Sequence, residues 1–362
     1  MAFKINNTTV ADNYGVIAPS FAANNRPASP VTGQVIYNTD RNVLEIYDNG
    51  LWKDVDNTSR GNTFLYRTVI TTSYVHGGYV STSPWRNVNR MTHATDLTFN
   101  LGDLLTNAGA YTSGACNLTR AFQWASDNTW PGTSTITTAF NMNTETAAGL
   151  NSNWNLYASR DDCGTIFKEH YYAYICGGGN TKIDVFNLTT ETMYSTWQGA
   201  DSNAYNAADN GGCGTISDET KGFVYGGTPH RLTFSTNQLY TLSTSGHVVG
   251  GSHGQQKGIN SKIGRGYAGN EGSYNGGYNL RRFNLVTEAS SGSVVSKPVT
   301  NSGEENFDMG QNWQYMLGCY DGAQNNRGWK FNYLSETGYE LGAGSTRTGV
   351  PGGSSGHCAW RA

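Results

Sequence analysis

The chain has 362 residues, and 14% of them are charged: 24 Lys+Arg against 27 Asp+Glu, a net charge of −3. A typical soluble domain is about 25% charged, so Asn, Ser, Thr and Gly must carry much of this surface. The balance excludes phosphate-driven nucleic-acid binding. No apolar run approaches the ~20 residues of a membrane helix, the 12% of aromatic residues argues against disorder, and scarce Leu, Glu and Lys argue against a helical bundle.

Residues 1–26 carry no clear periodicity, and 18–27 read as an extended arm. After a Pro/Gly turn cluster, residues 34–37, 43–47 and 51–55 read as three strands of a meander, with a hairpin turn at Asn49 and Gly50. Alternation puts Leu44 and Ile46 on one face and Glu45 on the other. A meander this small cannot bury enough apolar area alone. Tyr37, Leu44, Ile46 and Trp52 therefore call for a partner surface: the rest of the chain, copies of it, or another protein.

Residues 58–362 repeat. A Phe followed by Asn or Ser precedes a turn that usually carries Thr and Glu. Phe99, Phe140, Phe186, Phe234, Phe283 and Phe331 mark six copies at intervals of 41, 46, 48, 49 and 48 residues. A Gly pair ends a strand ahead of most copies (Gly77 and Gly78, Gly177 and Gly178, Gly226 and Gly227). Unit two has Ala125 and Ser126 in their place. Four short strands per unit of about 45 residues predict an all-β fold: a β-propeller of about six four-stranded blades. The segment from Cys358 to Ala362 has the phase of a first strand with no unit to follow it. It is expected to complete the unit containing Phe99, so that the C-terminal strand closes the ring.

The chemistry is sparse. Cys116, Cys163, Cys213, Cys358 and His253 keep similar phase, but small residues also fit the crowded first strands of such a ring, and no metal or cofactor is expected. Neither an HExxH nor a GxSxG motif occurs. The chain is expected not to be an enzyme, with a propeller glycan hydrolase or a surface lectin as alternatives. Aromatic-rich loops carrying Trp154, Tyr157, Tyr205, Tyr274 and Tyr278 are candidate ligand contacts, because such rings offer stacking surface for sugars or apolar patches. The six cysteines form no CxxC pair, and the segment from Met1 to Asn7 lacks a signal-peptide core. Assembly in a cytosol with all six thiols reduced is expected, and the uncharged surface suits later exposure outside a cell.

Two resemblances sharpen these expectations. Residues 27–55, with Gly33, Val35, Tyr37 and Asn38 and then Tyr47, Gly50 and Trp52, resemble a module of tailed-bacteriophage fibre and virion structural proteins. The double glycines and Trp197 resemble the kelch type of propeller. The first resemblance implies a virion protein assembled in the host cytoplasm. Residues 1–57 would attach it to other virion proteins through Tyr37, Leu44, Ile46 and Trp52. The propeller of residues 58–362 would be displayed for host-surface adhesion, as in a tail fibre, or for capsid decoration. Its partners would be virion proteins, a host surface glycan or protein and further copies of the chain, with no nucleic acid and no membrane insertion.

Overall fold

The computed structural model describes mainly the strands and short turns of the chain. The longer segments outside that description are 56–71, 126–133, 198–213, 243–257, 270–278, 297–306 and 342–355, with shorter ones at turns and termini. The chain divides into two compact units, Met1–Val69 and Ile70–Ala362. Both are all-β.

In the first unit, β1 (Phe3–Ile5), β2 (Thr8–Asp12) and β3 (Gly15–Val16) form an antiparallel sheet that no sequence period announced. The arm contributes β4 (Ser20–Phe21), which adds in parallel to β5 (Val35–Asn38). The expected meander follows as β5, β6 (Val43–Asp48) and β7 (Leu51–Val55). Its alternation is as read, but the buried face is the Glu45 face. Ile36, Asn38, Glu45 and Trp52 are buried there, while Val35 and Leu44 on the other face are 37% and 40% exposed. Glu45 tolerates full burial because Arg26 donates two hydrogen bonds to its carboxylate, at 2.8 and 2.7 Å, and Asn38 donates a third at 3.1 Å. A buried carboxylate needs such pairing.

The second unit contains a small hairpin of β9 (Tyr79–Val80) and β10 (Ser83–Pro84) and six four-stranded antiparallel sheets. The first sheet combines β8 (Thr72–His76), β11 (Asn87–Thr92) and β12 (Leu97–Asp103) with the C-terminal β33 (Gly356–Arg361), in the order β12-β11-β8-β33. The other five are meanders in chain order. The second holds β13 (Ser113–Cys116), β14 (Arg120–Trp124), β15 (Thr138–Asn141) and β16 (Thr146–Leu150). The third holds β17 (Cys163–Lys168), β18 (Tyr172–Gly177), β19 (Ile183–Asn187) and β20 (Thr192–Trp197). The fourth holds β21 (Gly214–Ser217), β22 (Lys221–Tyr225), β23 (His230–Thr233) and β24 (Gln238–Thr241). The fifth holds β25 (Gly258–Asn260), β26 (Arg265–Gly269), β27 (Asn279–Asn284) and β28 (Ala289–Ser296). The sixth holds β29 (Phe307–Met309), β30 (Trp313–Tyr320), β31 (Gln324–Asn332) and β32 (Thr337–Glu340). The C-terminal strand thus completes the sheet whose other strands open the repeat, paired antiparallel to β8.

First strands of successive sheets touch: β13 meets β17, β17 meets β21, β21 meets β25, β25 meets β29, β29 meets β33, and β33 meets β13. Between sheets, the second strand of one packs an aromatic ring on the repeated Phe of the next. Centroid distances are 5.3 Å for Tyr74 and Phe140, 4.9 Å for Phe122 and Phe186, 4.8 Å for Phe223 and Phe283, and 4.9 Å for Tyr267 and Phe331. Such pairs add about 0.5–1.5 kcal/mol each beyond area burial. The glycine that ends a second strand is a backbone requirement. Gly77 has φ +70°, and a Cβ there would lie 2.6 Å from the Gln123 side chain and 2.8 Å from the Gly109 carbonyl. Ala125, standing where the second unit lacks its glycine, adopts φ +60° all the same.

Candidate functional site

The repeated turn between third and fourth strands explains its own wording. Asn141 Oδ1 accepts from the backbone N–H of Asn143 and Thr144, Asn187 from Thr189 and Thr190, Asn284 from Val286 and Thr287, and Asn332 from Ser335. These four Asx turns, like the two turns that have Thr92 and Thr233 in place of the Asn, hand the chain to a left-handed residue at the sixth position of the motif. That residue is Asp96, Glu145, Glu191, Asn237, Glu288 or Glu336, with φ between 52° and 57°. A non-Gly residue in this region costs roughly 1–2 kcal/mol. The side chain offsets that cost by reaching into the preceding sheet.

Each turn makes the same reach. Glu145 accepts from Arg90 at 2.8 and 3.0 Å and from the Tyr74 hydroxyl at 3.1 Å, both in the first sheet. Glu191 pairs with Arg120 and accepts from Asn117 at 2.9 Å. Glu288 accepts from Lys221 at 2.6 Å and from Arg231 at 2.6 and 2.8 Å. Glu336 accepts from Arg265 at 2.9 Å, Tyr267 at 3.0 Å and Arg282 at 3.1 Å. Asp96 of the first sheet pairs with Lys330 of the sixth and accepts from Tyr315 at 3.0 Å. The remaining turn, between the third and fourth sheets, has Asn237 in place of the acid. It accepts from Tyr174 at 3.4 Å.

The donors follow a positional rule. The third-strand residue directly opposite the second-strand aromatic is Arg90, Arg231, Arg282 or Lys330 in four sheets. In the third sheet that position holds Val185, opposite Tyr174. In the second sheet it holds Ala139, opposite Phe122, and the base is Arg120 at the start of the second strand, where the third sheet has Tyr172. The sheet with a base at neither position faces the turn without a charge. Burial pushes the Tyr267 hydroxyl up to about 12, so it remains a donor to Glu336 across the neutral range.

Burial also raises the Glu288 carboxyl, but hydrogen bonds and charge from Lys221 and Arg231 outweigh it and hold the group below its ordinary 4.5. A depressed carboxylate contributes stability above its unfolded value and loses it as pH falls through the folded one. Glu288→Gln is therefore expected to lower stability at pH 7, with the gap to the parent closing as pH drops below about 4. Urea melts at pH 7 and pH 3 check this; an equal gap at both would show that the carboxylate charge is not what matters. A cavity of about 450 Å³ opens beside this pair, lined by Thr220, Lys221, Arg231, Phe234, Ser235 and Glu288. Both of its cations are paired with Glu288 across the seam.

The turns correct the phase of two repeats. Five residues before Asp96 stands buried Met91, and five before Asn237 stands buried Leu232. These are the counterparts of Phe140. Phe99 lies one strand later, 42% exposed and opposite Arg90, whose guanidinium sits 5.0 Å from the ring centroid. Phe234 takes the place of Leu188 and stacks on Tyr174 at 5.4 Å.

Of the candidate ligand contacts, Trp154 is buried in a short 3₁₀ turn, edge-on to Phe122 at 5.5 Å, whereas Tyr157 is 58% exposed. Tyr205, Tyr274 and Tyr278 lie outside the described residues. Of the attachment candidates, Tyr37, Leu44 and Ile46 share the partly exposed face of their sheet, and Trp52 belongs to the opposite, buried face. The expectation of six reduced thiols fails at Cys116, which is disulfide-bonded, while Cys163 and Cys176 are buried thiols outside any disulfide. The shared phase of these cysteines is also only approximate. Cys163 pairs with Gly177 at one end of its sheet, but Cys116 pairs with Ala121, further along its own strand. Among the described residues no cluster of three His, Cys, Asp or Glu is placed to hold a metal.

Compared with known proteins, the chain matches no family model and no curated relative.

Proposed function

We propose that the chain is a non-enzymatic structural protein of a tailed-phage particle, attached by its N-terminal unit and displaying a six-bladed, kelch-like β-propeller. The propeller reading is supported by six four-stranded sheets of one topology, by first strands that touch in a cycle, and by an inter-sheet turn contact repeated at every seam, Asp96 to the sixth sheet included. The attachment reading rests on one observation above the rest: Val35, Tyr37, Leu44 and Ile46 form an apolar sheet face that the unit itself leaves partly open. Such a face favours burial against a partner by roughly 25 cal/mol per Å². The non-enzymatic reading is supported by the repeated acids, which are engaged in holding sheets together.

The test is purification of the phage particles with an antibody to this chain. Labelled particles in negative stain are expected, and a Tyr37→Asp, Leu44→Asp, Ile46→Asp triple variant should no longer co-sediment with them while its propeller melts as the parent does. Unlabelled particles, or incorporation of the variant at the parent level, would overturn the assignment. Release of reducing sugar from host polysaccharide by the purified chain would favour a glycan hydrolase instead.

A further inference from the structure

Cys116 is bridged, and neither Cys163 nor Cys176 is its partner. Three cysteines of the six remain: Cys213, Cys319 and Cys358. Cys213 immediately precedes β21 of the fourth sheet, whose first-strand neighbours are β17 and β25. Cys319 sits in β30 of the sixth sheet, paired with Asn325 of β31. Cys358 sits in β33, which lies against both β13 and β14 of the second sheet. The register brings it closer still. Cys358 is the direct cross-strand partner of Tyr74, and Tyr74 belongs to the same buried cluster as Cys116, with Ala121, Phe140 and Met142. Directly opposite residues in an antiparallel pair have Cα atoms about 4.5–5.5 Å apart, so the Cys358 backbone lies directly beside a residue of that cluster.

We propose that Cys116 and Cys358 form a disulfide that locks the C-terminal strand onto the second sheet, a redox-controlled staple on the closed ring. The lock goes beyond the particle assignment and does not depend on it. Strand β33 closes the first sheet by backbone pairing and by packing on β13 and β29, and the bond then makes that closure covalent. The chemistry is thiol–disulfide exchange with a small-molecule disulfide of the glutathione type. One protein thiolate attacks the small disulfide and releases one small thiol. The second protein thiolate displaces the other, leaving one protein S–S bond, two small thiols and no net change in electrons. The bond cannot form until β33 has docked beside β13, so it records a completed ring. In a reducing compartment the ring is held by non-covalent contacts, and on reaching an oxidising medium it becomes locked.

Tryptic digestion of unreduced, alkylated protein after exposure to oxidised glutathione reads the pairing directly. One linked species joining the Cys116 and Cys358 peptides is expected, with Cys163, Cys176, Cys213 and Cys319 all alkylated. Reduction should lower the melting temperature by about 5–10 °C, the scale for a bridge closing a long loop in a unit of this size. Cys116→Ser, Cys358→Ser and the double variant should each melt where the reduced parent does and no longer respond to reductant. Cys319→Ser should keep both the link and the response. A linkage of Cys116 to Cys213 or Cys319, alkylation of Cys116 in the oxidised protein, or a Cys358→Ser variant that still responds to reductant would overturn the proposal.

Discussion

A chain ending at Ser355 is expected to lose cooperative folding of its second unit. The truncation removes β33, which makes five registered pairs with β8. At roughly 0.5–1.5 kcal/mol net per ladder hydrogen bond, the lost pairing alone costs on the order of 3–6 kcal/mol. Packing against β13 and β29 goes with it. Since whole domains are stable by only about 5–15 kcal/mol, the remainder is marginal, and β8 is left with an open edge that invites aggregation. Calorimetry should show a melting temperature lower by more than about 10 °C or a broad, non-cooperative transition. A chain lacking Ala362 alone should melt as the parent does, and a peptide of residues 356–362 added in excess should restore part of the transition by mass action. A truncated chain with the parent's melting curve would mean that β33 closes nothing. Cys358→Ser separates the two contributions of this strand, because it retains the backbone pairing and removes only the proposed bond.

The strands were readable from sequence because the four-strand unit repeats with turn chemistry attached. Asn141, Asn187, Asn284 and Asn332 announce the same Asx turn, and Gly77 and Gly177 announce a left-handed end to a second strand. The phase was misread at Phe99 and Phe234 because the Phe position asks for a buried apolar side chain of suitable volume. Met91 and Leu232 meet that demand, and such exchanges are tolerated in cores. The left-handed acid is the stricter marker, since its backbone angle and its partners in the neighbouring sheet both depend on its position. Those partners were not readable. Arg90 and Glu145 are separated by 55 residues and Lys330 and Asp96 by 234, and no local period links them. The buried face of the Glu45 strand was not readable for a related reason. Alternation separates two faces of a strand, but which face is buried was decided by Arg26, 19 residues away, whose paired charge makes the carboxylate face acceptable inside.

Removal of one turn acid is expected to destabilise its seam, and the uncharged seam shows what a turn acid requires. Glu336 accepts from Arg265, Tyr267 and Arg282, and its side chain is 21% exposed. The pair is partly screened by solvent, so its worth lies well below that of a dry ion pair. Glu336→Gln keeps the shape but leaves two guanidinium groups without a counter-charge, at an expected cost of about 1–2 kcal/mol. At Asn237 the reverse change is not expected to help. The third sheet has Val185 where four other sheets carry Arg or Lys, and Tyr172 where the second sheet carries Arg120, so Asn237→Glu alone places a carboxylate against Tyr174 with no base at either position. That single change should be neutral or destabilising by up to about 1 kcal/mol. Val185→Arg alone should also destabilise, because Val185 is 7% exposed and packs with Leu232 and Phe234. Together the two substitutions reproduce the arrangement of Arg90 with Glu145. They should recover about 1–2 kcal/mol relative to the sum of the single changes, read as the coupling energy of a double-mutant cycle in urea. That coupling should shrink as pH falls below the carboxylate range, because the new acid must be ionised to bind the new base. Additive single effects at pH 7 would mean that a base opposite the second-strand aromatic does not support an acid at the turn.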